Sequence, residues 1–457
     1  MSAHQQSGIS PDTIAAVSTG GGRAAVAVIR VSGPQAGEAV RTLAGKLPEP
    51  RRALLAKLRH PSSLERLDEG LVLWFPGPAS ATGEDMAEFQ VHGGRAVVAA
   101  VLGALFAIPG VRPAEAGEFT RRGFLNGRMD LSAVEGLADL IAADTEGQRR
   151  LAFAHAFGHL GQRAEHWRMR LIRAMALIEA GIDFPDEDDI PVETRAAARP
   201  EVEALHAELT AALADQRGGL VREGATIAIA GLPNAGKSSL MNALAARDVA
   251  IVSDEPGTTR DVLEVALDLA GHRVALIDTA GLREASGAVE AEGIRRARAR
   301  IAGADLVLWV HDAAAGPAPE AHPHISVGEG AEFWLVANKS DMAGERRGND
   351  PDWAERALRL SARTGEGMAA LIDSLTEWTS VRLAGAEHPV LIRERHRAAA
   401  GEAADHLAQA LAGWDGLSDE LLAEELRRAA HAIARITGRI DTDDLLDVVF
   451  REFCIGK

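Results

Sequence analysis

The spacing of apolar residues changes character several times along the chain. Residues 12–31 show the short alternating runs of two strands around a Gly-rich turn. The runs GLVLWFPG and MAEFQVHGG follow as further strands, with helical spacing near 34–46 and 95–107. This mixture predicts an α+β domain that ends around residue 125.

Beyond it, the apolar positions recur at helical spacing from Leu131 to about Ala180 and again over 192–219. Near residue 224 the rhythm becomes strand–loop–helix, with the β-rich runs TIAIA, VALID, LVLWV and FWLVA, which favours a parallel α/β sheet. After about 380 it is helical again. We therefore predict a multidomain α/β chain in which an α/β domain is inserted into a discontinuous all-α domain, with segments 1–125, 126–222, 223–380 and 381–457.

Composition limits the classes of protein that fit this pattern. The chain has 457 residues, a net charge of −17, no tyrosine and one cysteine, Cys454. One cysteine excludes a disulfide framework and a cysteine-rich metal site. The acidic balance argues against a whole-surface grip on nucleic acid. No apolar run reaches the ~20 residues of a membrane span, and no targeting peptide is evident, so we expect a cytosolic protein.

A phosphate-binding loop opens the α/β domain. GLPNAGKS, residues 231–238, matches G-x-x-x-x-G-K-[ST] between the strand ATIAIA and the helix KSSLMNALAA. Backbone N–H groups of such a loop cradle phosphate. Lys237 is expected to reach the β- and γ-phosphates, and Ser238 a magnesium ion. A packing turn without a ligand is the less favoured alternative in this context.

Three further motifs predict the base and the metal. NKSD, residues 338–341, follows an apolar strand, and the Asp341 carboxylate can accept from both N–H groups of guanine, which adenine does not offer. The SAR segment, residues 361–363, is expected to close over the base. DTAG, residues 278–281, lies at the end of the strand RVALI, and its Asp278 is expected to lie near magnesium. The motifs resemble the translation-factor class of GTPases. The predicted GTP contacts are Asn234, Ala235, Gly236, Lys237, Ser238, Ser239, Ser253, Asp254, Glu255, Pro256, Gly257, Thr258, Thr259, Asp278, Thr279, Ala280, Gly281, Asn338, Lys339, Ser340, Asp341, Ser361, Ala362 and Arg363.

The position that carries a water-orienting glutamine in Ras-like proteins is Leu282. Water positioning and charge neutralisation must therefore come from elsewhere. The amide oxygen of Asn234 and the carbonyl-rich segment SDEPGTTRD, residues 253–261, are suited to a monovalent cation. Such a cation would supply the charge of an arginine finger.

Together these motifs, and the run DTAGLREASGAVEAEGI in particular, resemble the MnmE (TrmE) family of tRNA modification GTPases over essentially the whole chain. The resemblance implies a Ras-like P-loop G domain that hydrolyses GTP with K⁺ and Mg²⁺ when G domains dimerise. It implies a homodimer that works with the FAD protein MnmG on wobble uridine 34 of tRNA, to form a 5-aminomethyl or 5-carboxymethylaminomethyl group. The implied K⁺ ligands are Asn234, Ser253, Glu255 and Thr258, the Mg²⁺ ligands are Ser238 and Thr259, and the catalytic residues are Lys237 and the water-orienting acid Glu290.

The same resemblance implies that the first 125 residues bind a folate and dimerise. A 5-formyl- or methylene-tetrahydrofolate would contact Arg30, Glu88, Arg128 and Lys457, where Arg128 replaces the usual lysine. The chain ends in FCIGK, and its last four residues reproduce the C-[ILV]-G-K ending that the resemblance implies. Cys454 is thereby expected near the one-carbon unit, and a catalytic thiolate there would need basic neighbours.

Alternative interpretations remain open from the sequence. The G-domain motifs also fit a ribosome-assembly GTPase that binds RNA without modifying it, although no basic module follows them. A folate-dependent methyltransferase with a regulatory G domain is a weaker possibility. His155 and His159 are spaced like metal ligands but have no third partner, which favours a surface helix. The run RERHR, residues 393–397, predicts a solvated helix face that could contact tRNA.

Overall fold

A computed structural model describes residues 12–20, 22–183, 194–251, 264–278, 302–315, 330–343, 356–384, 390–440 and 456. The chain divides into two compact units. The first unit comprises residues 1–138, 155–207 and 399–457, and the second unit comprises residues 139–154 and 208–398. Among the described residues no helix is both long enough and apolar enough to cross a bilayer.

The first unit contains a mixed sheet with strand order β3-β4-β5-β2-β1-β6. Its strands are β1 (Thr13–Val17), β2 (Val26–Ser32), β3 (Leu54–Arg59), β4 (Arg66–Phe75), β5 (Met86–His92) and β6 (Val111–Pro113), with helices α1 (Ala36–Ala44), α2 (Arg95–Phe106) and α3 (Glu118–Leu125). Neighbouring strands are antiparallel except β1 and β6. Successive side chains point to opposite faces, so Ala15 packs with α1 and α2 while Ile14 and Ala16 pack with Phe119 of α3.

The helical region follows as α4 (Leu131–Ile141), α5 (Glu146–Ala156), α6 (His159–Asp183) and α7 (Thr194–Ala214), and resumes with α11 (Glu394–Ala412) and α12 (Asp419–Ile436). The predicted long helical stretch is divided at Gly158, whose φ of 92° suits a glycine between two helices. In the first unit α6 packs against α12. Helices far apart in sequence thus share one core, as a discontinuous helical domain requires.

The second unit contains a sheet with order β12-β11-β10-β7-β9-β8, parallel except for the β8–β9 pair. Its elements are α8 (Arg217–Glu223), β7 (Ala225–Gly231), α9 (Lys237–Ala245), β8 (Glu264–Leu269), β9 (His272–Asp278), β10 (Leu306–Asp312), β11 (Glu332–Asn338), β12 (Arg356–Arg359) and α10 (Met368–Arg382). The central strands are continuous apolar runs whose side chains are buried on both faces of the sheet, and helices α9 and α10 pack on one of these faces. The carboxyl ends of β7, β9, β10 and β11 meet at one edge, where ligands bind in such sheets.

The sequence pattern did not predict β3, β6 or β8. Strand β8 joins β9 through a turn at Ala270 and Gly271, both with positive φ, and this pair lacks the usual Asn-Gly or Asp-Gly signature. The predicted domain limits stay a prediction, since a division into two units does not test four segments.

Candidate nucleotide-binding site

The loop between β7 and α9 has a backbone that only particular residues can adopt. Gly231 has a φ of 144°, and a Cβ there would lie 2.2 Å from the Val310 carbonyl oxygen. Gly236 has a φ of 93°, and its Cβ would lie 2.2 Å from Nδ2 of Asn338. Asn234, with a φ of 62°, is one of the few residue types that tolerate the left-handed region. The two glycines therefore hold the loop close to its neighbours, as a phosphate cradle needs.

Lys237 and Ser238 begin α9 beneath this loop. Lys237 is 8% exposed, and its Nζ donates to the carbonyls of Gly231 at 3.1 Å and Leu232 at 2.9 Å. The Ser238 hydroxyl donates to Oδ2 of Asp278 at 3.0 Å. An ammonium group at the loop and a hydroxyl–carboxylate pair beside it are suited to phosphate and a hard divalent cation.

The predicted base loop is joined directly to the phosphate loop by Asn338. This side chain is 2% exposed, and its Nδ2 donates to the Ala235 carbonyl at 2.9 Å. Its Oδ1 accepts from the backbone amides of Lys339 at 2.8 Å and Ala362 at 3.0 Å. One amide group therefore connects the phosphate loop, the NKSD loop and the SAR segment, and its part here is to position the loops.

Lys339 is held by a residue that the sequence motifs did not single out. Its Nζ donates to the Asn234 carbonyl at 2.7 Å and to Oδ2 of Asp312 at 2.6 Å. The hydrogen bond from Lys339 lowers the pKa of Asp312 below its usual value. Asp312 ends β10 at the carboxyl edge of the sheet, so its position at the end of the run LVLWVHD was the available signal.

Asp341 lies beside the SAR segment, as predicted. A hydrogen bond from the buried Ser361 hydroxyl is the largest influence on the Asp341 carboxyl group, and together with Arg363 it lowers the pKa of that group. Arg363 donates to Oδ2 of Asp341. Asp341 is therefore an anion that already accepts cationic and neutral donors, the property needed to accept the N–H groups of a guanine.

Several predicted site residues lie outside the described residues. They are the catalytic candidates Glu290 and Cys454, the segment Ser253, Asp254, Glu255, Pro256, Gly257, Thr258 and Thr259, the DTAG residues Thr279, Ala280 and Gly281, and Lys457. Ser239 lies in α9, Ser340 in the NKSD loop and Ala362 in the SAR segment, all within the described part of the chain.

The predicted folate contacts Arg30 and Glu88 are cross-strand partners on β2 and β5. Arg30 donates from Nη2 and Nε to Oε1 of Glu88, at 3.0 Å and 3.2 Å, and its guanidinium lies 5.7 Å from the centre of the Phe119 ring. Arg128 is exposed, and its backbone amide donates to the Gly123 carbonyl at 2.8 Å. The structure thus brings Arg30 and Glu88 together, and in the described part of the chain neither side chain contacts Arg128.

The penultimate residue of the chain, Gly456, is held against β1. Its carbonyl accepts from the Ser18 hydroxyl at 2.7 Å, and a Cβ on Gly456 would lie 1.9 Å from the Val17 carbonyl oxygen. Ala16, the residue before Val17, is the register partner of Arg30. The end of the chain is therefore next to the strand pair that carries the predicted folate contacts.

Two expectations about exposure are wrong. His155 is 1% exposed and faces His159 at 6.0 Å between ring centres, so it does not lie on a surface helix. Arg393 and His396 of the RERHR run are also largely buried, and Arg393 donates to Asp139 at 2.8 Å. Helical spacing shows which positions of a helix are apolar, but it does not show whether another segment covers the polar face. The described residues hold no group of three or more His, Cys, Asp or Glu side chains suited to a metal.

Two family models match the chain. A model described as "GTP-binding protein TrmE N-terminus" matches residues 13–128, and one described as "MnmE helical domain" matches residues 131–454. Together with the two sheets, these matches confirm the predicted fold class: an N-terminal α+β domain, a discontinuous helical domain and an inserted P-loop α/β G domain.

Curated relatives match nearly from end to end. The tRNA modification GTPase MnmE of Rhodopseudomonas palustris is 50% identical over 98% of this chain and 99% of its own length. That of a Bradyrhizobium species is 51% identical over 97% of this chain and 99% of its own length. Among solved structures, the G domain of the T. maritima FeoB iron transporter is 26% identical over 34% of this chain, with a TM-score of 0.24.

Proposed function

Since this chain belongs to the MnmE family of tRNA modification GTPases and is a GTP hydrolase, we propose that it is a K⁺-stimulated homodimer that modifies wobble uridine 34 of tRNA together with the flavoprotein MnmG. The observation that carries the proposal is the identity of about half of all residues over nearly the whole length of the relatives. GTP hydrolysis then drives formation of a 5-aminomethyl or 5-carboxymethylaminomethyl group with a methylene-tetrahydrofolate as donor. We place this work in the cytoplasm, where tRNA is processed.

In this proposal the phosphate loop binds the nucleotide through backbone amides and the Lys237 ammonium group. Lys237 exchanges its bonds to the Gly231 and Leu232 carbonyls for bonds to the β- and γ-phosphate oxygens. Ser238 and Thr259 are proposed to supply oxygen ligands to magnesium, and Asp278, whose Oδ2 lies 3.0 Å from the Ser238 hydroxyl, to hold the ion through water. Magnesium, when bound there, neutralises charge on the phosphates.

Asp341 reads the base by accepting from both N–H groups of guanine, and Asn338 and Lys339 hold its loop against the phosphate loop. Adenine would leave the Asp341 carboxylate without those donors, which is the physical basis for preferring GTP to ATP. Glu290 is proposed to orient the attacking water, and Asn234, Ser253, Glu255 and Thr258 to hold K⁺.

The decisive measurement is nucleoside analysis of tRNA from a strain that lacks the gene, complemented with the wild-type chain or with Lys237→Ala. Wild type is expected to restore the modified wobble uridine and Lys237→Ala to leave it unmodified. Unchanged wobble uridines in the strain without the gene would refute the proposal.

The cation part is tested separately by GTPase rates in KCl and in NaCl at equal ionic strength. We expect a higher rate in KCl, because a cation held by oxygen ligands at the phosphates neutralises the charge that develops in the transition state. Equal rates in the two salts would remove K⁺ from the proposal and leave the tRNA part standing.

The folate part rests on Arg30 and Glu88. A guanidinium–carboxylate pair offers both donors and an acceptor to a pterin edge. Glu88→Gln is expected to weaken tetrahydrofolate binding by roughly tenfold, because it removes a charge-assisted acceptor. Calorimetric titration with 5-formyl-tetrahydrofolate measures it, and unchanged affinity would contradict this assignment.

A further inference from the structure

A cavity lies in the second unit, apart from the predicted nucleotide site. Its volume is about 330 Å³. Residues of α4, α5 and α8, the first residues of β9 and the segment before α11 line it, and the side chains that matter here are Asp139, Leu151, Ala152, Arg222, Arg273 and Ile392. None of them belongs to the predicted GTP, cation or folate sites.

Arg273, the second residue of β9, has donors that find no acceptor among the described residues. Its Nη1 is 3.7 Å from Oδ2 of Asp144 and its Nη2 is 3.9 Å from Oε1 of Glu264, both too long for hydrogen bonds. Its Nε is buried and donates to no group in the described part of the chain. A buried N–H group without an acceptor costs free energy, so Nε of Arg273 is suited to donate a hydrogen bond to a bound ligand.

Asp139 and Arg222 also line the cavity, and Arg393 contacts Asp139. Oδ1 of Asp139 accepts from Nε of Arg222 at 3.0 Å and from Nη2 of Arg393 at 2.8 Å. Oδ2 of Asp139 is buried and accepts from no group in the described part of the chain. Nε of Arg393 is likewise buried and donates to no described group. Two guanidinium groups therefore contact one largely buried carboxylate, and Oδ2 of this carboxylate is left to accept from a ligand.

The remaining wall is apolar. Leu151 and Ile392 are 4% and 3% exposed and pack in one cluster with Val221, and Ala152 is also buried. Apolar side chains of this kind pack against the carbon atoms of a ligand, whereas they offer no hydrogen bonds to water. The volume falls within the range of small-ligand pockets, ~300–1,000 Å³, which combine an apolar lining with a few placed polar groups.

We infer that this cavity binds a small organic phosphate or carboxylate. The anionic group lies against Arg273 and Arg222, because planar guanidinium groups match the paired oxygens of such anions. A hydroxyl or amino group of the ligand donates to Oδ2 of Asp139, and its carbon skeleton contacts Leu151 and Ile392. The site is separate from the nucleotide site, since Arg273 and Asp278 lie at opposite ends of β9, roughly 17 Å apart at the usual rise per residue.

The test uses the full chain saturated with GDP and labelled at isoleucine and leucine methyl groups. It is titrated with ribose 5-phosphate, with malate and with inorganic phosphate, and the Ile392 δ1 methyl signal, assigned through Ile392→Val, reports occupancy. We expect a saturable shift with ribose 5-phosphate or with malate, whichever anion the site prefers, and a weaker one with inorganic phosphate, which has no carbon skeleton. No shift of this signal up to about 10 mM of any probe would overturn the inference.

A variant pair then locates the contact. Arg273→Gln is expected to weaken binding by roughly tenfold or more, as for a lost charge-assisted hydrogen bond. Arg149→Gln removes an exposed charge on α5 outside the cavity wall and should bind as wild type does. Unaltered affinity of Arg273→Gln would overturn the inference. Should that variant not fold, as judged by circular dichroism, Ala152→Met fills the cavity with the arginines intact, and it must abolish the shift.

Discussion

Arg122 is the most heavily paired charge among the described residues of the first unit. It is 4% exposed and contacts Asp12 at 3.0 Å, Glu84 at 3.1 Å and Glu118 at 2.9 Å. Asp12 and Glu84 lie far from Arg122 in the sequence, whereas Glu118 is four positions before it, so no local motif marked the whole cluster. Removing one member of such a buried cluster leaves buried charges without a partner. The loss of folding stability is therefore much larger than for an exposed ion pair.

Arg122→Gln is therefore expected to destabilise the first unit by about 3 to 5 kcal/mol. Hydrogen exchange of the β1 and β2 amides, followed by mass spectrometry, measures the loss where it occurs. Arg52→Gln is the matched control, since Arg52 is 78% exposed and its ion pair within the described part of the chain is with the exposed Glu49, and it should change stability by less than about 0.5 kcal/mol. Equal effects of the two substitutions would contradict this account.

The same cluster predicts a pH dependence. Burial alone would raise the pKa of Glu118, but hydrogen bonds from Arg112, the Glu115 amide and Arg122 outweigh it, so the pKa lies below 4.5. A carboxyl group with a lowered pKa stabilises the folded state above the unfolded pKa, and this contribution is lost as the pH falls through the folded value. We expect the unfolding temperature of the first unit to fall below about pH 4.5, and to fall less steeply in Glu118→Gln.

Asp341 determines the base in our proposal, and its substitution has a specific expected result. Asp341→Asn replaces an acceptor with an amide whose N–H₂ group can donate to the O2 oxygen of xanthine. GTP hydrolysis should fall at least about tenfold and XTP hydrolysis should rise. Steady-state rates with GTP, XTP and ATP measure it. Undiminished use of GTP would show that another residue reads the base.

Among elements, the end of the chain depends on one glycine. Gly456 has a φ of 97°, and a methyl group there would lie 1.9 Å from a backbone oxygen that cannot move without shifting β1. Gly456→Ala is expected to release the tail from β1, to make the terminus sensitive to carboxypeptidase and to reduce tRNA modification. Gly103→Ala, in α2 with nothing within 4 Å of the added Cβ, should leave both unchanged. A protease-resistant Gly456→Ala would refute the docked tail.

For the whole molecule, ligand binding should act on one unit at a time. Each unit has its own buried core, so we expect two unfolding transitions in calorimetry. GDP at a hundredfold of its dissociation constant should stabilise the second unit by about 2.7 kcal/mol and leave the first unchanged. Lys237→Ala should abolish the shift, and a shift that persists in this variant would place GDP elsewhere.

The sequence by itself determined the fold class and the chemistry of the nucleotide site. A phosphate loop, NKSD and DTAG are local strings, and their residue types follow from what phosphate, guanine and magnesium require. The central strands of the second unit were equally evident, because strands covered on both faces become continuous apolar runs. Edge strands such as β8 were not, since half-exposed residues carry a weaker pattern.

Only the tertiary structure decided which distant residues share a contact. Asp312 holding Lys339, Asn338 joining three loops and Arg122 among its carboxylates each depend on strand order and helix packing, which no local spacing encodes. The burial of His155 and Arg393 has the same origin, because a helix surface becomes interior only when another segment covers it. The cavity around Arg273 also depends on the tertiary structure. Four segments far apart in sequence line it, and Nε of Arg273 is buried without a described partner only in the folded chain.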